Sequence, residues 1–266
     1  GLRVVDFGDR NAPVEIDFCA TTGQAVGVTL FDNHAAVADL YGIQIFEVSD
    51  PVSVAWVGSV ETPGLAEGLA VSGEFAYVAD RWAGLTVIDV SSPFEPVMVG
   101  SLGTPGDARG VAVVDDLVFV ADGFSGLRII DVGDPAAPTE LGWLDTPGEA
   151  TDVVVVDHIA VVADGWAGLT LIDVSSPQWP VQVGRIDTPM VATGLTHIGR
   201  YVLVADGYAA DLLMFDVSDP TAPVLVDSVE TPGSPVSVVV SGKYAYVADP
   251  PGGIEVIQLK GIPKGR

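Results

Sequence analysis

The 266-residue sequence contains one cysteine, Cys19. No intrachain disulfide can form, and no cysteine-based zinc or redox motif exists. Basic residues are also scarce. Lys and Arg total 11 against 36 Asp and Glu, a formal charge of −25. Nucleic acid and anionic membrane surfaces need clustered Lys and Arg, so both are poor partners. No run of about 18 apolar residues offers a membrane-spanning helix. No basic stretch followed by an apolar one opens the chain, which starts without Met in mid-motif and reads as a mature or trimmed product. His34, His158 and His197 are scattered through the sequence. There is no Gly-x-Ser-x-Gly, phosphate loop or spaced His pair to carry catalysis. Paired Asp and Glu abound, but in so acidic a chain they say little about glycoside hydrolysis.

What the chain has in quantity is repetition. The tripeptide Val-Ala-Asp serves as a ruler: its Asp falls at Asp39, Asp80, Asp122, Asp164, Asp206 and Asp249, at steps of 41, 42, 42, 42 and 43. A period near 42 with short β-type segments and no helical periodicity predicts four-stranded propeller blades. In the second copy the strands are "EGLAVSG", "FAYVAD", "GLTVIDV" and "PVMVGSL". They are separated by a Ser-Gly turn, an Asp-x-x-x-Gly loop and Ser-Ser-Pro-x-x-Pro, and Thr-Pro-Gly links to the next copy. Apolar runs such as Val118 to Val120 and Val153 to Val156 suit strands covered on both faces.

The expected fold is therefore an all-β, six-bladed β-propeller in one domain. Five full blades span about 24–230, and the closing blade combines 234–259 with strands from 1–20. One closure adds Val14 to Cys19 to three C-terminal strands and leaves Leu2 to Phe7 surplus. The other takes two strands from each end and leaves Ile254 to Leu259 surplus.

The segments "GLTVIDVSSPFEPVMVG", "GLRIIDVGDPAAPTELG" and "GLTLIDVSSPQWPVQVG" resemble the LVIVD repeat of bacterial and archaeal secreted or cell-surface proteins. The resemblance covers nearly the whole chain and implies a propeller and an extracellular or cell-surface location. It brings no shared reaction. Departures are local: Asp211 replaces the Gly that opens a third strand, Met190 replaces the Gly of Thr-Pro-Gly, and the last copy reads "VIQLKG" for "VIDVSD".

Two residue sets are candidates for binding on the face that bears the Thr-Pro-Gly links. Two places after each ruler Asp stands an aromatic: Tyr41, Trp82, Phe124, Trp166 and Tyr208, with Pro251 in the sixth copy. Beside carboxylates such a crown can stack on sugar rings or hold a cation. Recurrence in five copies favours a structural reading, with each ring folded over its loop to plug the seam to the next blade. Arg81 shares the exposed loop of Trp82. The residue opening each innermost strand varies instead: Val26, Glu67, Arg109, Thr151, Thr193 and Val236. Glu67 and Arg109 either form a salt bridge or, with the Thr hydroxyls, contact a small ligand. His197 occupies a position held by Val71, Val113 and Val155, and reads first as a channel or core residue.

No cofactor is implied beyond the possibility of calcium. Calcium needs six to eight oxygens, whereas the turn acids (Asp6 with Asp9, Glu47 with Asp50, Asp131 with Asp134, Asp216 with Asp219) come two to a turn and read as turn caps. The ruler Asp is expected to cap its own loop. These features point to a non-catalytic binding or scaffold module for a protein or glycan partner. A polysaccharide hydrolase or lyase and a calcium-stabilised adhesin repeat are the alternatives.

Overall fold

The strands are set by their turns. The first hairpin of a copy reverses through two residues, and the leading one takes a positive φ: Asp32 (46°), Gly73 (57°), Asp115 (51°) and Asp157 (55°). Asp tolerates this left-handed region because its short side chain can bond locally.

In the computed structural model, which describes residues 1–10, 12–209 and 211–259, the chain is a six-bladed β-propeller with no α-helix among those residues. Among the described residues no helix is long and apolar enough to cross a membrane. Each of the first five copies makes a four-stranded sheet in chain order. In the second copy the strands are Gly68–Ser72, Phe75–Ala79, Leu85–Asp89 and Val97–Leu102. The sixth sheet has three: Ser237–Ser241, Tyr244–Asp249 and Gly253–Gln258. Of its sequence departures, Lys260 and Gly261 lie outside the described residues.

The chain falls into two compact units, residues 1–120 with 130–140 and residues 121–129 with 141–266. In the first unit, Ile43 and Ile45 from a third strand pack against Ala76, Val78 and Ile88 of the second copy. Leu85 and Val87 do the same against Val118, Val120 and Ile130 of the third. In the second unit, Leu169 and Leu171 meet Val202, Val204 and Phe215, and Leu212 and Met214 meet Val238 and Val247. Each buried Leu or Ile contributes roughly 1.5–3 kcal/mol. Second strands such as Leu117–Ala121 are buried on both faces, as their apolar runs predict. Val153 to Val156 differ: they form a first strand, in which Val154 and Val155 stay partly exposed.

Fourth strands carry a bulge and, in the first four copies, a crowded glycine. The register slips between Ile45 and Phe46, between Met98 and Gly100, between Leu171 and Ile172, and between Met214 and Phe215. The extra residue bends the strand at a fixed place. A Cβ added at Gly58 would collide with the Pro93 carbonyl oxygen and crowd Pro96 of the following copy, and one at Gly184 would collide with the Pro220 carbonyl. Glycine here lets the next copy's turn lie against the strand backbone.

The N-terminal strands Leu2–Asp6 and Val14–Cys19 pair with each other, with the same slip between Val4 and Val5. They therefore repeat the third and fourth strands of a copy. Asp17 opposes Val4 as Gly58 opposes Ile45. Both terminal candidates of the sequence, Leu2 to Phe7 and Ile254 to Leu259, are largely occupied by strands, and the described partner of Val14–Cys19 is its own hairpin mate.

Candidate functional site

The ruler aspartates are the fixed points of the Thr-Pro-Gly face. Asp39, Asp80, Asp122, Asp164, Asp206 and Asp249 are each at most 1% exposed. A carboxylate buried so deeply needs several donors. Asp80 receives the Thr62 hydroxyl at 2.7 Å, the Gly64 N–H at 3.0 Å and the Thr86 hydroxyl at 3.1 Å. Asp164 receives Thr146, Gly148 N–H and Thr170 at 2.6, 3.0 and 3.0 Å. Asp249 receives Thr231 and Gly233 N–H. The expectation that each Asp caps its own loop holds for Asp39, which accepts the Tyr41 N–H, and is corrected for Asp80, Asp164 and Asp249. The donors of these three come from the Thr-Pro-Gly link upstream, and in Asp80 and Asp164 also from the third strand, so the carboxylate ties these segments together. Burial pushes the Asp80 carboxyl above its ordinary value, and its three hydrogen bonds oppose that shift.

In the third copy the polar partner on the third strand is Arg128, 6% exposed, with its guanidinium 3.6 Å from Asp122 and from Asp145 and its face over Trp143. In the fifth copy the same strand position is Leu213, which has no donor. Asp206 accepts the Met190 N–H at 3.0 Å, but its Oδ1 and the Thr188 hydroxyl are both buried without a partner among the described residues. Burial, with the negative charge of Asp211 added to it, raises the Asp206 pKa against the pull of the Met190 and Val191 amides. The Asp211 substitution recasts the loop rather than merely weakening it: Gly207–Ala209 forms a turn of 3-10 helix, and Asp206 pairs directly with Asp211.

The aromatics do not plug seams. Tyr41, Trp82, Phe124, Trp166 and Tyr208 are 61, 60, 79, 70 and 71% exposed. The structural reading of them is corrected on that ground, because a ring that fills a seam loses most of its solvent contact. Trp166 and Tyr208 stack in parallel, with centroids 6.0 Å apart and planes 9° apart.

The variable positions at the start of the first strands are largely committed to the fold. Glu67 pairs with Arg81 at 2.5 Å, not with Arg109 as expected, and Arg81 also lies 3.9 Å from Asp107. The Thr151 hydroxyl lies within 3.2 Å of the carbonyls of Ala163, Ala192 and Thr193. That of Thr193 reaches Ala205 and Pro235 at 3.0 and 3.2 Å. Both hydroxyls stitch first strands of successive copies. His197 is exposed, with Nδ1 3.4 Å from the Gly199 carbonyl at its own hairpin. Its exposure corrects the core reading of this histidine.

Turn acids on the opposite face behave as caps: Asp6, Asp50, Asp131, Asp134, Asp216 and Asp219 each accept a backbone N–H two residues on. Among the described residues no three His, Cys, Asp or Glu gather as metal ligands.

One residue escaped the sequence reading. Asp152 stands where the first strands of other copies have Gly27, Gly68, Gly110 and Gly194. Its carboxylate accepts the N–H of Leu195 at 2.7 Å from the adjacent first strand and that of Val153 at 2.8 Å. Burial pushes its pKa up to about 6 despite those two bonds. The signal was present as an acid replacing a glycine.

Several solved structures share the fold. A protein from Lactobacillus plantarum superposes with a TM-score of 0.77 at 16% identity, covering 96% of this chain and 90% of that one. The periplasmic gluconolactonase PpgL of Pseudomonas aeruginosa gives 0.76 at 14%, covering 93% and 89%. BamB of Moraxella catarrhalis gives 0.59 at 14%, covering 90% and 84%. At these identities the likeness is one of fold alone. No curated protein matches the sequence. The LVIVD repeat, in contrast, matches residues 22–62, 63–104, 105–146, 147–188, 192–231 and 232–257 in succession. With six consecutive matches over nearly its whole length, the chain belongs to the LVIVD-repeat family.

Proposed function

We propose that this propeller is a non-catalytic binding module that works outside the cytoplasm and meets its ligand or protein partner through the loop face of the Thr-Pro-Gly links. The observation that carries the reading is the Trp166 and Tyr208 pair: two large rings, about 70% exposed and stacked on each other, at the tips of loops tied down by buried carboxylates. A rigid aromatic surface loses little conformational entropy on contact, which is what a recognition surface needs. The net charge of −25 favours neutral or cationic partners. Glu67, Arg81 and Arg109 serve as polar contacts on the first unit. The two terminal regions, 1–20 and 234–259, together supply the closing blade of a single domain. The extracellular setting rests on the secreted and surface proteins that the repeat resembles, and the periplasmic name of one structural neighbour agrees with it.

The test is a glycan array and a basic-peptide array probed with the wild type and with the Trp166→Ala, Tyr208→Ala double variant. Binding lost in the variant, with an unchanged melting temperature, supports the reading. Hits of equal strength with both proteins would remove this face from consideration.

A further inference from the structure

The first copy departs from the others in a way that opens space. Its ruler loop reads Asp39-Leu40-Tyr41-Gly42, one residue shorter than Asp80 to Gly84 or Asp164 to Gly168. In the fourth copy Ala167, the residue before the loop glycine, is 8% exposed and lies against the link glycine Gly148. In the first copy the edge of the Tyr41 ring approaches the link glycine Gly23 instead, and Leu40 takes a φ of 69° to make the tighter turn. What remains is a cleft of about 220 Å³, lined by Thr22, Asp39, Tyr41, Gln44, Ser59 and Glu61. Clefts that enclose drug-sized ligands run to roughly 300–1,000 Å³, so this one suits a single ring.

Its chemistry is also particular to this copy. Where the second and fourth copies have Thr86 and Thr170, the first has Gln44. Gln44 Nε2 donates to Asp39 Oδ2 at 2.7 Å and to the Thr22 hydroxyl at 2.5 Å. A carboxylate only accepts, so these bonds fix which way the amide lies. Oε1 is then an acceptor with no partner among the described residues. Asp39 is occupied by donors: the Thr22 hydroxyl and the Gly23 N–H, both at 2.9 Å, the Gln44 amide, and the Tyr41 N–H at 3.1 Å. The exposed side chains of Ser59 and Glu61 complete the polar wall, and the 61%-exposed Tyr41 supplies an apolar face.

We infer that this cleft binds one neutral pyranose ring. Sugar hydroxyls both donate and accept, and matching them takes carboxylate and amide oxygens with a hydroxyl at fixed positions. The C–H face of a pyranose stacks on an aromatic ring, and Tyr41 stands beside those groups. The carboxylates repel an anionic sugar. Asp39 spends its charge on internal donors, which leaves Glu61 as the one uncommitted carboxylate among the named lining residues, too little for a metal ion. The inference is independent of Trp166 and Tyr208.

Saturation-transfer NMR and calorimetry with methyl β-glucopyranoside, methyl β-galactopyranoside and methyl α-mannopyranoside test it, with glucuronate as the anionic control. At least one neutral pyranoside is expected to bind, and glucuronate not to bind. Gln44→Thr installs the residue of the second and fourth copies and keeps a donor for Asp39, so it folds while losing the free amide oxygen. Affinity should fall at least tenfold in this variant, and equally when an Ala is inserted between Tyr41 and Gly42 to restore the longer loop. No pyranoside binding by the wild type overturns the inference, as does binding that survives both changes. Binding that survives them but disappears with Trp166→Ala, Tyr208→Ala overturns the cleft while leaving the binding module standing.

Discussion

Asp17 Oδ2 accepts the Val54 N–H at 2.7 Å, at the place where later copies set a glycine against a proline: Gly58 against Pro96 and Gly100 against Pro138. Asp17 and Val54 thus depart from the repeat together. The carboxylate requires an N–H that proline lacks, and the proline contact requires the absence of a side chain opposite. Val54→Pro alone is expected to cost about 1–3 kcal/mol by leaving a charged acceptor unmatched. Combined with Asp17→Gly it should cost much less. Urea denaturation of the two single variants and the double gives the coupling, and additive effects would refute the pairing.

The two Thr-Pro links at 146 and 188 make a matched experiment. Thr146→Val removes a 2.6 Å hydroxyl bond to Asp164, and a loss of about 1.5–3 kcal/mol is expected for a hydrogen bond to a charged group. Thr188→Val removes a buried hydroxyl that has no partner among the described residues, and stability should hold or rise by about 1 kcal/mol. Equal losses in thermal denaturation would contradict the assignment.

Asp152 gives stability a pH dependence of definite sign. Its folded pKa, about 6, lies above the 3.8 of a free Asp, so the folded chain holds the proton more tightly. Stability from this group is greatest below about pH 4, falls as pH rises from 4 to 6, and is flat above. Asp152→Asn keeps an acceptor for Leu195 and removes the charge. The variant should be more stable than wild type at pH 7, by at most about 3 kcal/mol before solvent screening is counted, and the difference should vanish near pH 4. A difference that persists at pH 4 would exclude titration as its cause.

Gly168 and Asp211 test the recast loop. Gly168 has a φ of 78°, and an added Cβ would collide with the Ile186 carbonyl; Gly168→Ala is expected to lose more than about 2 kcal/mol. Asp211→Gly, in a loop already rebuilt by 3-10 geometry, should change stability by less than about 1 kcal/mol. Calorimetry of both variants decides the point.

The fold was legible because Gly, Pro and Asp at constant spacing dictate turns whatever lies between them, and the even spacing of Asp39 to Asp249 counted the blades. The site was less so. Sequence places Trp166 at a loop tip but cannot say that its ring faces solvent, since that depends on what packs beneath it. The Asp164 tie went to Thr146 rather than to the loop's own amides because burial demanded stronger donors than the loop supplies. Glu67 chose Arg81, from the loop of its own copy, over Arg109 of the next, and the repeat spacing does not encode that choice. The cleft at Tyr41 was visible only as a step of 41 where 42 is the rule.

The crowded glycine of the fourth strand has an evolutionary consequence. A duplicated segment that begins at its Thr-Pro-Gly link arrives with its buried carboxylate already supplied with donors, but with a bare stretch of backbone that only a successor's proline turn can cover. Such a segment is indifferent to its predecessor and dependent on its successor. Copies can multiply freely between two existing ones, while the strand that faces an irregular neighbour must be rewritten. Asp17, which stands in the glycine's place and meets the Val54 N–H instead of a proline, is such a rewriting.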